Sequence, residues 1–188
     1  MALTTEAIVG AALDILDEFG LADLTMRRVG AALDVKAGAL YWHFPNKQTL
    51  LAAVADEVLH GLDAPEGEGA WSVWLTDWAE ALRARLLSHR DAAELVASTQ
   101  AMGLGRIDPC AAGRMVLAEA GLDADSADAT MQALLHLVLG HVVEEQTQSQ
   151  LAALGVIEPG DPDRASHHFH VGVRLLIDGV GILIRPVA

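Results

Sequence analysis

The chain reads as all-α on three observations. Ala and Leu dominate a composition that is 52% hydrophobic and only 4% aromatic, which favours helices over strands. Apolar residues recur at helical spacing along most of the length. Thr, Asp, Asn, Gly and Pro stand at the breaks between those segments, where helices start and stop. With 188 residues, of which 20% are charged, the chain suits one domain with its own core, or a small module attached to a larger one.

A first helix is expected over 4–19, with Ile8, Ala12, Ile15 and Phe19 on one face. Thr4 or Thr5 caps its start, and Gly20 ends it in a left-handed turn. Thr25 caps a second helix over 25–32 that turns Met26, Val29 and Leu33 inward. Leu33-Asp34-Val35 forms a tight turn before a short third helix over 36–41. Two short helices joined by a three-residue turn and packed on a longer one describe a helix-turn-helix, but the pattern equally fits an ordinary helical hairpin.

Pro45 and Asn46 break the chain, and Asn46 caps a fourth helix running to 62 through Leu50, Leu51, Val54 and Val58. Residues 63–69 form a loop rich in Pro, Gly and Glu. The next helix, over 71–88, spaces Trp71, Trp74, Trp78 and Leu82 as one stripe. Another follows over 91–102, then one to 120 with Asp108 as cap and Pro109 at the first position, stopped by Gly121. A long helix is expected over 126–151, and a last one from 163 or 166 to 184. Repeats and low-complexity tracts are absent from the sequence.

Several function classes fall away on composition. Met1-Ala2-Leu3-Thr4-Thr5-Glu6 lacks a basic region followed by an apolar one, so no secretory leader is expected. The longest uncharged run, 129–143, holds Thr, Gln and two His and is too short for a bilayer, so no membrane partner is expected. The lone Cys110 excludes an internal disulfide framework and fits a reducing cytoplasm. The net charge of −14 argues at first against nucleic acid. Its distribution argues otherwise: residues 25–50 carry Arg27, Arg28, Lys36 and Lys47 against Asp34 alone, a local +3 that leaves −17 on the rest. A compact basic patch on an acidic body suits DNA, because phosphates respond to the local field.

Leu40-Tyr41-Trp42-His43-Phe44-Pro45-Asn46-Lys47, followed by Leu50-Leu51, resembles the signature that closes the DNA-binding unit of TetR-family regulators. The resemblance begins at Gly20-Leu21 and Leu24-Thr25-Met26-Arg27-Arg28-Val29 and covers roughly the first fifty residues. It implies a three-helix DNA-binding domain over 1–46 and a helical ligand-binding and dimerisation domain over 47–188. The body is similar to the tetracycline repressors at Leu87-Ser88-His89-Arg90-Asp91, Leu139-Gly140 and Glu144-Glu145-Gln146, and around 172–179.

On this reading Lys36, Ala37, Gly38 and Ala39 form the turn that meets base edges. Lys36 suits a guanine or a phosphate, and the two alanines suit a thymine methyl. Gly38 permits close backbone approach while lowering helix stability by roughly 1 kcal/mol against Ala. The tetracycline repressors carry longer polar groups in place of Ala37 and Ala39, so a different operator is expected. Arg27 matches a family position that reaches a guanine, and Arg28 reads as a solvated or phosphate-facing charge. Thr25, Tyr41, His43 and Lys47 match positions that touch the backbone, while Trp42 is assigned chiefly to packing.

Met131, Leu134, Leu135, Leu137, Val138, Leu139, Val142 and Val143 make the long helix apolar almost all round, a sign of burial on several sides. The last helix carries Phe169, Val173, Leu176, Val180 and Leu183 as a stripe, with Gly172 and Gly179 open to close approach. The resemblance implies a four-helix homodimer interface and hence a palindromic operator. Trp78, Leu82, Thr99, Met102, Met115, His136, Leu139 and Glu144 are the candidate pocket lining; the Met and Trp residues are also readable as plain core, and His136 as a hydrogen-bonded core histidine. Two departures stand out: Val96 and Trp78 replace a His and an Asn with which tetracycline repressors grip a drug–magnesium complex. Valine cannot coordinate magnesium, so a flat, mostly apolar or aromatic effector is expected, with no metal or cofactor.

The rival readings are a regulator that activates or senses nothing, and a metal-dependent enzyme. The enzyme would draw on His167, His168 and His170, or on Glu144 with Glu145, yet these lack the spacing of a helical metal site or a nucleophile–base motif.

Overall fold

Thr4 opens the first helix by accepting a hydrogen bond from the Ala7 amide at 3.2 Å. In the computed structural model, which describes residues 3–62 and 70–184, helix α1 then runs Thr5–Phe19. Further helices are α2 (Met26–Ala32), α3 (Ala37–Leu40), α4 (Lys47–Leu59), α5 (Trp71–Leu87) and α6 (Ala92–Met102). They are followed by α7 (Ala111–Glu119), α8 (Ala124–Ala153) and α9 (Pro162–Ile184). Among the described residues there is no strand, and no helix is long and apolar enough to cross a membrane. The loop expected over 63–69 lies outside the described residues.

The chain forms two compact units. The first comprises residues 1–60 and 85–107, so it extends past position 46 and takes in α4 and α6. In its core, Ile8, Ala12 and Leu16 of α1 are buried with Val29 of α2, Leu40 of α3 and Leu50, Val54 and Val58 of α4. Helix α1 packs on α2 and α4, and α4 packs on α6. The turn before α6 grips the end of α1. Asp17 accepts from the Arg90 amide at 3.1 Å and faces His89 Nδ1 at 3.0 Å, while Asp91 accepts from the Leu21 amide at 2.8 Å. Gly20 suits this site because its φ of 86° is left-handed and a Cβ there would stand 2.7 Å from the Asp91 carboxylate.

The second unit comprises residues 61–84 and 108–188. Trp74, Leu75, Trp78 and Leu82 of α5 are buried, as are Met131, Leu134, Leu135, Val138 and Val142 of α8 and Phe169 and Val173 of α9. Helix α8 packs on α7 and α9. The Arg83 guanidinium binds both oxygens of Glu145, at 2.9 and 2.6 Å, and lies 5.0 Å from the Phe169 ring, which links α5, α8 and α9.

Several boundaries differ from expectation. Helix α7 begins at Ala111 because Asp108 accepts from the Cys110 amide, two residues on, in a local turn. Helix α8 begins at Ala124, two residues early, since Asp123 caps it through the Ser126 amide at 3.0 Å. Helix α9 starts at Pro162, with Asp161 accepting from the Asp163 and Arg164 amides. Helix α4 stops at Leu59 rather than 62. The inward stripe of α9 uses Ile177, while Leu183 is exposed.

Candidate nucleic-acid interface

The turn between α2 and α3 sets the geometry of this face. Thr25 caps α2 through the Arg28 amide at 3.2 Å, and Asp34 takes a left-handed φ of 54° that reverses the chain. Gly30 lets the two helices meet: a Cβ there would stand 2.9 Å from the Val35 carbonyl oxygen and 3.2 Å from the Ala37 nitrogen. Backbone, not a yielding side chain, occupies that space.

Helix α3 spans four residues and continues as a helical turn, with the His43 and Phe44 amides both donating to the Leu40 carbonyl. Leu40 and Phe44 are buried, so residues 41–43 project outward. Tyr41 is 50% exposed and Trp42 91% exposed. The assignment of Trp42 to packing is therefore corrected: it stands on a solvent-facing turn between two core residues. Exposed with it are His43, Lys36, Gly38 and Arg27, while Thr25, Ala37, Ala39 and Lys47 are half-buried. Together they form a basic and aromatic strip. Amide, ammonium, guanidinium, phenol and imidazole groups on such a strip are donors suited to phosphates and base edges.

Arg28 stands apart. Its guanidinium lies 3.6 Å from the Phe19 ring centroid, and its Nη1 is 2.5 Å from Asp23. Both partners belong to this unit's own fold, so Arg28 is tied to the end of α1. Below the strip, Asn46 and Thr49 form a reciprocal cap on α4, in which the Thr49 amide reaches Asn46 at 2.8 Å.

The candidate pocket residues divide between the units. Thr99 and Met102 belong to the first: Thr99 is fully buried and donates to the Leu95 and Val96 carbonyls, whereas Met102 is exposed. Val96 is fully buried in the same unit. In the second unit Trp78, Leu82 and Leu139 are buried, while Met115, His136 and Glu144 are exposed. The Trp78 indole donates to the Pro109 carbonyl at 3.0 Å. Glu144 lines a polar cavity of about 330 Å3 with His141, Glu145, Gln148, Arg164 and His168. Among the described residues no group of three or more His, Cys, Asp or Glu is placed to hold a metal ion. His170 pairs instead with Glu80, its Nε2 3.1 Å from the carboxylate.

Sequence reasoning missed two features. Gly30 is an inconspicuous helical glycine in sequence, and only the close approach of α3 explains it. Asp56, which nothing in the sequence singles out, is 7% exposed and accepts from the Arg106 and Ile107 amides.

Residues 8–54 match the family model for bacterial regulatory proteins of the tetR family, and residues 64–156 match that for the tetracyclin repressor-like C-terminal domain. The tetracycline repressor protein class A from transposon 1721 of Escherichia coli is 32% identical over 98% of this chain and 95% of its own length. A crystal structure of Mycobacterium smegmatis BioQ superposes with a TM-score of 0.88 at 39% identity, covering 95% of this chain and 98% of that one. BioQ with its natural double-stranded DNA operator gives a TM-score of 0.82 at 38% identity over 95% of this chain and 98% of that one. A TetR variant from Acinetobacter baumannii AYE in complex with minocycline gives 0.82 at 31% identity, covering 98% of this chain and 99% of that one. With these matches running nearly end to end, the chain belongs to the TetR family of bacterial regulatory proteins.

Proposed function

We propose that this protein is a transcriptional repressor that binds a palindromic operator as a homodimer and is released by a small, mostly apolar or aromatic effector. The observation that carries the reading is the exposed strip Lys36–Gly38–Tyr41–Trp42–His43 on residues 25–50, a stretch with a net charge of +3. BioQ with its operator and the minocycline complex, both similar over nearly the whole chain, support DNA and small-molecule partners.

DNA reading is assigned to residues 1–46, and effector binding and dimerisation to 47–188. Base edges meet Arg27, Lys36, Ala37, Gly38 and Ala39, while Thr25, Tyr41, His43 and Lys47 hold phosphates. Trp42 joins the backbone contacts on account of its exposure. The exposed apolar residues Leu175, Ile182 and Leu183 of α9, with Val143 of α8 and an open Gly179, support a four-helix interface with a second copy. The effector contacts are drawn from Trp78, Leu82, Thr99, Met102, Met115, His136, Leu139 and Glu144. Valine at 96 and a hydrogen-bonded tryptophan at 78 argue against a tetracycline–magnesium complex. The protein acts in the cytoplasm, where the DNA is, and catalyses no reaction.

The test is selection of a binding sequence from random duplex DNA, followed by fluorescence anisotropy with flat aromatic compounds and with tetracycline plus magnesium. A palindromic consensus, release by an aromatic compound and indifference to tetracycline–magnesium are expected. A stable monomer, or no preference among duplexes at low salt, overturns the reading.

A further inference from the structure

Helices α5 and α9 run antiparallel within the second unit. Near one end the Glu80 carboxylate lies 3.1 Å from His170 Nε2, and near the other a Cβ on Gly181 would stand 3.8 Å from the Trp71 ring. Val73, Asp77 and Glu80 share one face of α5, and His170, Arg174 and Ile177 share one face of α9 at the same spacing. In antiparallel register Asp77 therefore faces Arg174, and Val73 faces Ile177.

A cleft of about 440 Å3 lies between these two faces. Phe169, Val173 and Ile177 are buried and form its floor, and Val73 stands exposed at its lip. Small-molecule sites enclose about 300–1,000 Å3 and are mostly apolar with a few placed polar groups, and this cleft has that build. The polar groups divide by wall. Glu80 is occupied by His170, whose Nδ1 lies 2.6 Å from the Ser166 carbonyl oxygen, so this pair closes one end. Asp77 and Arg174 are exposed, and among the described residues neither side chain takes part in a hydrogen bond or ion pair. One wall thus offers an open carboxylate and the other an open guanidinium, with apolar surface between them.

The cleft is separate from the sites proposed above. None of the effector candidates lines it. Leu175 and Ile182, the exposed residues offered to a second copy, leave α9 about 120° around the helix from His170, Arg174 and Ile177.

We propose that this cleft binds a zwitterion of the α-amino-acid type with an apolar side chain. The ammonium meets Asp77, the carboxylate takes a forked contact from Arg174, and the side chain covers Phe169, Val173 and Ile177. A cationic or an anionic amphiphile satisfies one wall and leaves the other without a partner. The site stands or falls separately from the DNA-binding reading.

Methyl chemical-shift titrations on the full chain test it, with phenylalanine, phenethylamine and phenylpropionate as probes. The three share a ring and differ in charge: zwitterion, cation and anion. Phenylalanine is expected to shift the methyls of Val73, Val173 and Ile177 and to bind about fivefold tighter than either analogue. Asp77→Asn should weaken phenylalanine and phenethylamine by a similar factor while sparing phenylpropionate. Arg174→Gln should weaken phenylalanine and phenylpropionate while sparing phenethylamine. Equal binding of the three probes, no shift with any of them, or shifts at Leu82 and Leu139 with none at Val73 overturns the proposal. So do shifts of the cleft methyls that grow with protein concentration alone, which would place a second copy there. The three-probe comparison on the wild type decides even if a variant fails to fold.

Discussion

Arg27 and Arg28 show how little sequence adjacency says about task. Arg28 is paired with Asp23 and stacked on Phe19, while Arg27 is exposed beside the strip. Arg27→Ala is expected to weaken operator binding by about 1–3 kcal/mol and relax one base preference, whereas Arg28→Ala leaves base preference intact. Anisotropy titrations on single-base variants of the operator separate the two, and unchanged discrimination in Arg27→Ala removes its reader role. Trp42, at 91% exposure, should change its fluorescence when duplex is added, a response that Trp42→Phe abolishes. Trp74 and Trp78 are buried. The reader residues were legible in sequence because their motif is contiguous. The exposure of Trp42 was not, since an apolar ring suggests core until the turn that turns it outward is seen. Cys110 is a further case. Burial, with Asp108 adding to it, pushes its thiol from 9.0 up to about 12. The unfolded chain ionises first, so its contribution to stability is complete below pH 9 and is lost as pH rises through about 12. Thermal melts between those limits should fall more steeply for the wild type than for Cys110→Ala, and parallel curves would refute this.

Among the elements, the α2–α3 corner is the least tolerant. Gly30→Ala places a Cβ against the Val35 carbonyl and the Ala37 backbone, and overpacking of this kind costs about 1–3 kcal/mol. Since α3 must rotate or shift, operator affinity should fall more than the loss of stability accounts for. Denaturant titration beside anisotropy reads both, and a variant with native stability and affinity would show that the corner yields. Helix existence and order were legible from apolar spacing and breakers. Helix starts were less so: Asp108, Asp123 and Asp161 look alike in sequence, yet Asp123 caps α8, Asp161 caps α9 behind Pro162, and Asp108 closes a turn ahead of α7. Which amide a short carboxylate meets depends on the path of the following residues, which composition does not encode. The pocket was least legible, because burial of Trp78 or exposure of Met115 follows from packing between distant helices.

For the whole molecule, charge is the governing quantity. A local +3 over residues 25–50 on a chain of net −14 makes attraction for DNA a matter of the strip's own field and not of the total charge. Operator affinity should therefore drop linearly on a log–log plot against salt, and Lys47→Ala should lower its slope by about 1 while reducing affinity uniformly across sequences. A variant with an unaltered slope would place Lys47 off the backbone. The division of the chain carries a practical consequence. Because α6 returns to pack on α4 after the chain has left for the second unit, a fragment cut at Leu62 would strip α4 of its neighbour. A graft that carries α4 onto a foreign sensor keeps its α6 contact only if 85–107 travels with it, because this compact unit is discontinuous in sequence.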